Sequence, residues 1–225
     1  MASTPADRAP AANRAKAPSR PKAKRGASSD IDAQIAKVAA ALEAHNIDVV
    51  VVDTAEQARE TVLRLIPEGG EIHWGKSKTL DDLGIIAHLL ESKTHEPLRP
   101  RYMKLDRATH GREIRKMIAG PDVMLGSVAA VTEAGALVSA SATGSQLGAY
   151  AAGAGRLILV VGSQKIVPDL DTALRRIDDV VFPWEDDQVR QRLGVSTRLE
   201  KVLIVYGEWN RGRTTVVLVR EPIGV

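Results

Sequence analysis

Apolar residues recur at Ile31, Ile35, Val38, Ala39 and Leu42, three or four positions apart, which is the spacing of an amphipathic helix over residues 31–42 with Ser29 or Asp30 as its cap. Asn46 closes it. The β-branched run Asp48 to Val52 predicts a strand. Thr54 opens a second helical pattern with Ala58, Val62, Leu65 and Ile66 on one face, stopped by Pro67-Glu68-Gly69-Gly70. Glu71 to Trp74 predicts a brief strand and Gly75 to Lys78 a turn. Thr79 then caps a helix through Leu83, Ile86, Ala87 and Leu90, with Asp82 in the place of a capping-box acid. Helix and strand alternate, which points to α/β layering.

Further along, Tyr102 to Leu105 reads as extended, and Asp106 or Thr109 opens a helix through Ile114, Met117 and Ile118 that Gly120-Pro121 ends. Ala136-Leu137-Val138 and Leu157 to Val161 are short apolar runs with the look of buried strands. Pro168 introduces a helix from Asp169 to Ile177 whose apolar side holds Leu170, Leu174 and Ile177. Phe182-Pro183-Trp184 reads as a cover for the core edge. Lys201 to Tyr206 and Thr214 to Val219 flank a polar loop and predict a C-terminal β-hairpin. In that loop Trp209 and Arg211 either form a partner surface or fold back on the hairpin.

Composition narrows the options. At 225 residues and 44% apolar content the chain can build one sizeable core. It has no cysteine, which excludes disulfides, thiolate metal sites, a cysteine nucleophile and cysteine-ligated iron–sulfur clusters in this chain. Aromatic residues make up 3%, too few for an extended stacking surface for single-stranded nucleic acid. The net charge of +3 belongs to the N-terminus: residues 1–30 hold seven basic and two acidic side chains, a net of +5, which leaves −2 for the rest. With Pro5, Pro10, Pro18 and Pro21 among alanines and serines and no apolar signal segment, residues 1–28 predict a disordered basic tail. Residues 29–225 predict one domain. No stretch is long and apolar enough for a membrane span, so the expectation is a cytoplasmic protein without membrane or specific nucleic-acid partners.

Candidate chemistry gathers at strand ends. Gly75-Lys76-Ser77-Lys78 follows a strand and precedes a helix, where backbone donors and a lysine meet a phosphate or carboxylate. Gly70 stands at the P-loop offset from Gly75, but Glu71 to Trp74 between them is a strand, which excludes a nucleoside-triphosphatase. In the small-residue stretch from Ser139 to Gly148, Thr143, Gly144, Ser145 and Gln146 either admit a ligand to the backbone or serve tight packing of a helix on a sheet. Lys165 lies just past the strand Leu157 to Val161, at the end where open parallel sheets bind ligands. The turn after Gly162 lacks the spacing of a dinucleotide fingerprint. His73, His88, His95 and His110 are scattered and read as exposed or locally bonded, with no metal site assigned. Arg99 to Lys116 is the most basic stretch after the tail, and reads as a solvated helix face.

Three separated motifs in order carry a resemblance: GKSKTLDDLGI at 75–85, GSVAAVTEAGALV at 126–138 and SATGSQLGAYAAGAGRLILVVGSQKIVPDLDTALRRI at 141–177. Together they resemble the LUD domain family (DUF162), the lactate-utilisation LutC/YkgG-like proteins, over residues 31–222. The resemblance implies a three-layer α/β sandwich with a mostly parallel sheet, similar to the NagB/RpiA/CoA-transferase superfamily. It implies an accessory or small-anion-binding subunit of an L-lactate-oxidising iron–sulfur system, its partners being a small carboxylate or phosphate-bearing ligand and iron–sulfur oxidoreductase subunits. The alternatives are a freestanding enzyme on an acyl thioester or phosphosugar, and a noncatalytic regulatory binding protein. Carried onto this chain, it offers Glu133 and Lys165 as catalytic groups. Gly75, Ser77, Thr79, Gly135, Gly162 and Pro168 would line one cleft with the Thr143 to Gln146 run. The cofactor is unknown, and any iron–sulfur cluster must sit on another subunit.

Removal of residues 1–28 is expected to leave the thermal unfolding midpoint almost unchanged, as measured by scanning calorimetry.

Overall fold

The structure, a computed structural model, describes residues 24–225. Helix α1 (Lys24–Ala44) begins ahead of the expected cap at Ser29 or Asp30. The tail expected over 1–28 lies outside the described residues as far as residue 23. After α1, Asn46 at φ 62° turns the chain into strand β1 (Asp48–Val52), a conformation that asparagine tolerates. Thr54 caps α2 (Ala55–Leu65) by accepting from the Gln57 amide at 3.3 Å, and β2 (Glu71–Trp74) follows.

Two short helices, α3 (Lys78–Asp82) and α4 (Ile85–Glu91), stand where the apolar pattern predicts one. The cap is Ser77, accepting from the Leu80 amide at 3.3 Å, rather than Thr79. Gly84, at φ 63°, separates the two helices and rotates the buried face, so Ile85 and Leu89 are covered and Leu90 is exposed. The extended segment expected at Tyr102 to Leu105 is likewise replaced. The two-residue strand β3 (Glu96–Pro97) runs into α5 (Leu98–Tyr102), because Leu98 and Tyr102, one helical turn apart, bury together against Ile114 of α6 (Arg107–Ala119).

Strands β4 (Val123–Gly126), β5 (Ala130–Thr132) and β6 (Leu137–Ser141) come next, then a π-helical turn at Ala149–Gly153 and β7 (Arg156–Gly162). Ser163–Lys165 form a single 3₁₀ turn before β8 (Ile166–Val167). Asp169 caps α7 (Leu170–Arg176), accepting from the Thr172 amide at 2.7 Å. Ala173 and Ile177 form the covered side of this segment, while Leu174 is exposed. A π-helical turn joins α7 to α8 (Phe182–Leu193), whose first turn accommodates Pro183. Strands β9 (Lys201–Val205) and β10 (Thr214–Val219) complete the fold.

Six strands form an all-parallel sheet in the order β1-β10-β7-β4-β2-β3. On one face Ile158, Val160, Val217 and Val219 pack with α2, α3 and α4. On the other, Leu157, Leu159, Val216 and Leu218 pack with α1 and with the inner residues of a second sheet, ordered β8-β5-β6-β9. Its outer face is covered by Ala173 and Ile177. The protein is thus an α/β fold whose mostly parallel sheet is flanked by helices. No helix among the described residues is long and apolar enough to cross a membrane.

The predicted C-terminal hairpin is not formed. β9 pairs antiparallel with β6 in the small sheet, whereas β10 lies parallel between β1 and β7 near the middle of the large one. The difference follows from side-chain character: every residue of β10 is buried, while β9 is exposed or half-exposed along its length. A strand apolar on both faces belongs inside a helix-covered parallel sheet. Trp209 in the connection is 94% exposed, so it does not fold back.

Leu218→Ala in β10 is expected to cost about 2–5 kcal/mol, the usual cost of a fully buried leucine. Val202→Ala in β9 should stay within about 0.5 kcal/mol. Urea unfolding midpoints for the two variants check the assignment of the strands.

Candidate functional site

Parallel strands all finish at the same edge of their sheet, and ligands in open α/β sheets bind there, where successive connections diverge. Here the chain leaving β2 moves outward to β3, while the chain leaving β4 reaches the opposite neighbour, β7. The crevice between the ends of β2 and β4 is therefore the point of divergence. Ser77 and Thr79 follow β2, Ser127 follows β4, and Lys165 follows β7.

Lys165 forms the floor. It is 3% exposed, and its Nζ donates to Thr79 Oγ1 and Ser127 Oγ, each at 2.9 Å. Ser127 Oγ in turn donates to the Val160 carbonyl at 2.6 Å, which anchors it to the core of the sheet. An ammonium has three donors, and these hydroxyls take two of them. Among the described residues no carboxylate lies within ion-pair distance of Lys165. Burial disfavours its charge and the Arg176 guanidinium adds to the effect, against a weaker opposing pull from Asp82, so its pKa falls to about 7.

The surroundings hold this arrangement in place. The Tyr150 hydroxyl accepts from the Ser127 amide at 3.3 Å and donates to the Ser127 carbonyl at 3.2 Å. A Cβ on Gly126 would fall 1.6 Å from that hydroxyl, so only glycine can end β4 here. The Gln164 side chain acts as a backbone surrogate: Nε2 donates to the Ile223 carbonyl at 2.8 Å and Oε1 accepts from the Ile223 amide at 3.1 Å. This brings Gly224 over Thr79, where a Cβ would lie 2.1 Å from Thr79 Oγ1.

Above the floor opens a cleft of about 850 Å³. It brings together Gly75, Ser77, Thr79, Thr143, Gly144, Ser145, Gln146 and Lys165 from the sequence-based set. The Thr143 to Gln146 run forms a self-bonded rim turn. Gly144, at φ 79°, donates its amide to Ser141 Oγ at 2.9 Å, and Gln146 Oε1 accepts from Ser141 and Ser145 at 3.2 and 3.3 Å. Glu133, Gly135, Gly162 and Pro168 are not on the cleft. Glu133 lies past the far end of β5 and faces α1, accepting from Lys37 at 2.6 Å and Gln34 at 3.3 Å, bonds that hold its carboxyl below the usual range. Gly135, at φ 87°, makes the β5–β6 turn, and a Cβ there would press on the backbone of α1 at 3.1 Å. The space beside Gly162 is filled by Gln164 and Ile223. Pro168 directly precedes the α7 cap.

The walls are cationic. Arg99, Arg107 and Arg115 from α5 and α6, with Arg192 and Arg198, line the cleft and make no ion pair among the described residues. Glu185 is the one acidic side chain on it among them, and is already paired with Lys76 at 2.9 Å; the same ammonium lies 5.1 Å from the centroid of Trp184. Part of the stretch expected as a solvated helix face thus borders the site instead. His73 on β2 is also on the cleft. It is 2% exposed and packs edge-on to Tyr102, and its Nδ1 is buried without a partner among the described residues. Burial, with Arg99 nearby, lowers its pKa to about 4, so it is neutral at ordinary pH. No group of residues that could hold a metal ion occurs among the described residues.

Ser127 and His73 escape a reading of motifs alone. A signal for Ser127 exists nonetheless: three strands end at or just before a glycine followed by serine at once or one residue later, as Gly75-Lys76-Ser77, Gly126-Ser127 and Gly162-Ser163. The rule that places Lys165 beyond a strand end places Ser127 there too.

Lys165 also makes stability depend on pH. Its folded pKa of about 7 lies below the ordinary value of 10.5, so between these values the unfolded chain binds more protons and stability rises with pH. The charged amine's penalty is full below about pH 7 and gone above about pH 10.5, and each unit of pKa difference corresponds to about 1.4 kcal/mol. Relative to Lys165→Met, the wild type is expected to gain several kcal/mol across that window, as measured by denaturant unfolding at each pH.

Residues 35–191 match the family model described as LUD domain. No curated protein matches the chain. Among solved structures, a DUF162 family protein from Deinococcus radiodurans is similar at 16% identity and a TM-score of 0.43, covering 85% of this chain and 97% of that one. With more than half of its length matched by the family model, the chain belongs to the LUD domain family.

Proposed function

We propose that this protein binds a small organic anion, a carboxylate or a phosphate, in the cleft between the ends of β2 and β4, as the anion-binding subunit of an L-lactate-oxidising system. The observation that carries the reading is the amine of Lys165, buried on the cleft floor beside two hydroxyls and without a carboxylate partner among the described residues. A buried amine in that setting gains most from a ligand that supplies the missing negative charge. The wall arginines, which make no ion pair among the described residues, favour the same class of ligand and draw it in by long-range attraction. Membership of the LUD domain family supports the lactate-oxidising setting only through the resemblance of the sequence motifs to lactate-utilisation proteins. Because this chain has no cysteine, electron transfer through iron–sulfur clusters in such a system would run through other subunits. The thioester reading draws no support from the geometry, since Glu133 lies outside the cleft and is already bonded to Lys37.

Calorimetric titration with L-lactate, pyruvate and inorganic phosphate tests the proposal. At least one is expected to bind saturably and raise the unfolding temperature by mass action. Lys165→Ala should weaken that binding by about ten- to a hundredfold, the loss of one charge-assisted hydrogen bond. Equal affinity in the two proteins, with both folded, would remove Lys165 and this cleft from the function.

A further inference from the structure

We propose that the Lys165 amine forms a reversible imine with the carbonyl carbon of a small 2-oxo acid held in the cleft. This deepens the anion-binding reading and rests on it, since the acid's carboxylate must first be held by the cationic walls.

The geometry distinguishes Lys165 from the other lysines on the cleft. Lys76 is paired with Glu185 at 2.9 Å and Lys78 with Asp82 at 2.5 Å, so a carboxylate already occupies the nitrogen of each. A nitrogen that attacks a carbonyl must instead present a free lone pair. Lys165 is buried and has no carboxylate partner among the described residues, and its polar contacts are the neutral hydroxyls of Thr79 and Ser127. The low pKa supports the same conclusion: near pH 7 about half of such amines carry a lone pair, against about one in 2,500 for an ordinary exposed lysine. Lys165 lines the cleft together with Thr79 and Ser127, the two residues its Nζ contacts.

The surroundings fit the chemistry of condensation. Nζ adds to the carbonyl carbon, forming the C–N bond, and a proton passes from nitrogen to the carbonyl oxygen to give a carbinolamine. Loss of that oxygen as water, with a second proton, breaks the C–O bond and leaves the imine. One water is released and nothing is oxidised or reduced. Thr79 and Ser127, each 2.9 Å from Nζ, are placed to pass protons between nitrogen and oxygen. The arginines on the walls select a carbonyl compound that carries a carboxylate over a neutral aldehyde or ketone.

The test is reductive trapping on the full chain. The protein is incubated with pyruvate and sodium cyanoborohydride, and in parallel with L-lactate, which has no ketone. Intact-mass and peptide-mapping measurements follow, alongside pyruvate calorimetry. Expected is a single adduct with the mass of pyruvate less one oxygen atom, located at Lys165 with about tenfold or greater occupancy than at any other lysine, as the difference in neutral amine requires. L-Lactate should give none, and Lys165→Arg and Lys165→Met, checked for a native unfolding transition, should lose the adduct. Adducts spread over surface lysines, or retained in those variants, overturn the imine. Pyruvate binding that depends on Lys165 without an adduct overturns the imine alone and leaves the anion-binding reading standing. Absence of both binding and adduct for pyruvate also sinks the imine, and the lactate and phosphate titrations then decide the broader reading separately.

Discussion

The parallel pairing of β7 with β4 on one side and β10 on the other is the constraint on which the rest of the protein depends. Parallel strands must be rejoined by crossovers, so both faces of the sheet are covered and its strands become continuously apolar. In β7 this appears as Leu157, Leu159 and Val161 packed into one layer and Ile158 and Val160 into the other. The same pairing brings every strand to its end on one edge. Thr79, Ser127 and Lys165 come from three different connections and Gly224 from the segment after β10, yet they meet within hydrogen-bonding or van der Waals reach.

A lysine at the centre of that meeting is costly. Taking an amine out of water disfavours its charge, and the repayment here comes from two hydroxyls rather than from a carboxylate. A carboxylate at the same place would have fixed Lys165 as a permanent cation and filled the space a ligand needs. The hydroxyls satisfy the nitrogen in either protonation state, which keeps the amine both tolerable in the core and available to an incoming group. The supporting contacts serve this purpose: Tyr150 clamps the Ser127 backbone and Gln164 holds the final residues over Thr79.

Much of this was legible in the chain, for reasons particular to each element. Helix α2 and strand β1 follow from strong periodicity and a threonine cap, and Lys165 from its position past an apolar strand. The Gly75 to Thr79 turn and the Thr143 to Gln146 run also reach the cleft. Glu133 does not, because a short turn between two strands carries the same small and polar residues whether it faces a ligand or docks on a helix. Glu133-Ala134-Gly135 does the latter, with Gly135 pressed against α1. The arginines of α5 and α6 read as a solvated face in the sequence because a one-dimensional pattern does not say what stands opposite.

By itself the sequence determined the chemical limits and several local elements: no thiolate chemistry, an α/β alternation, the Thr54 and Asp106 helix caps, and a lysine beyond a strand end. These depend on composition and on neighbours within a few residues. Tertiary structure decided which strands are partners. β9 and β10 are adjacent in the chain, yet they lie in different sheets, because burial on both faces outweighed the ease of a local turn. It also decided that Lys165 would meet Ser127 and Thr79, 38 and 86 residues away. That encounter, with the loss of solvent that accompanies it, makes an ordinary surface cation into the buried amine of a cleft, since desolvation is a property of the folded surroundings and of no local stretch of chain.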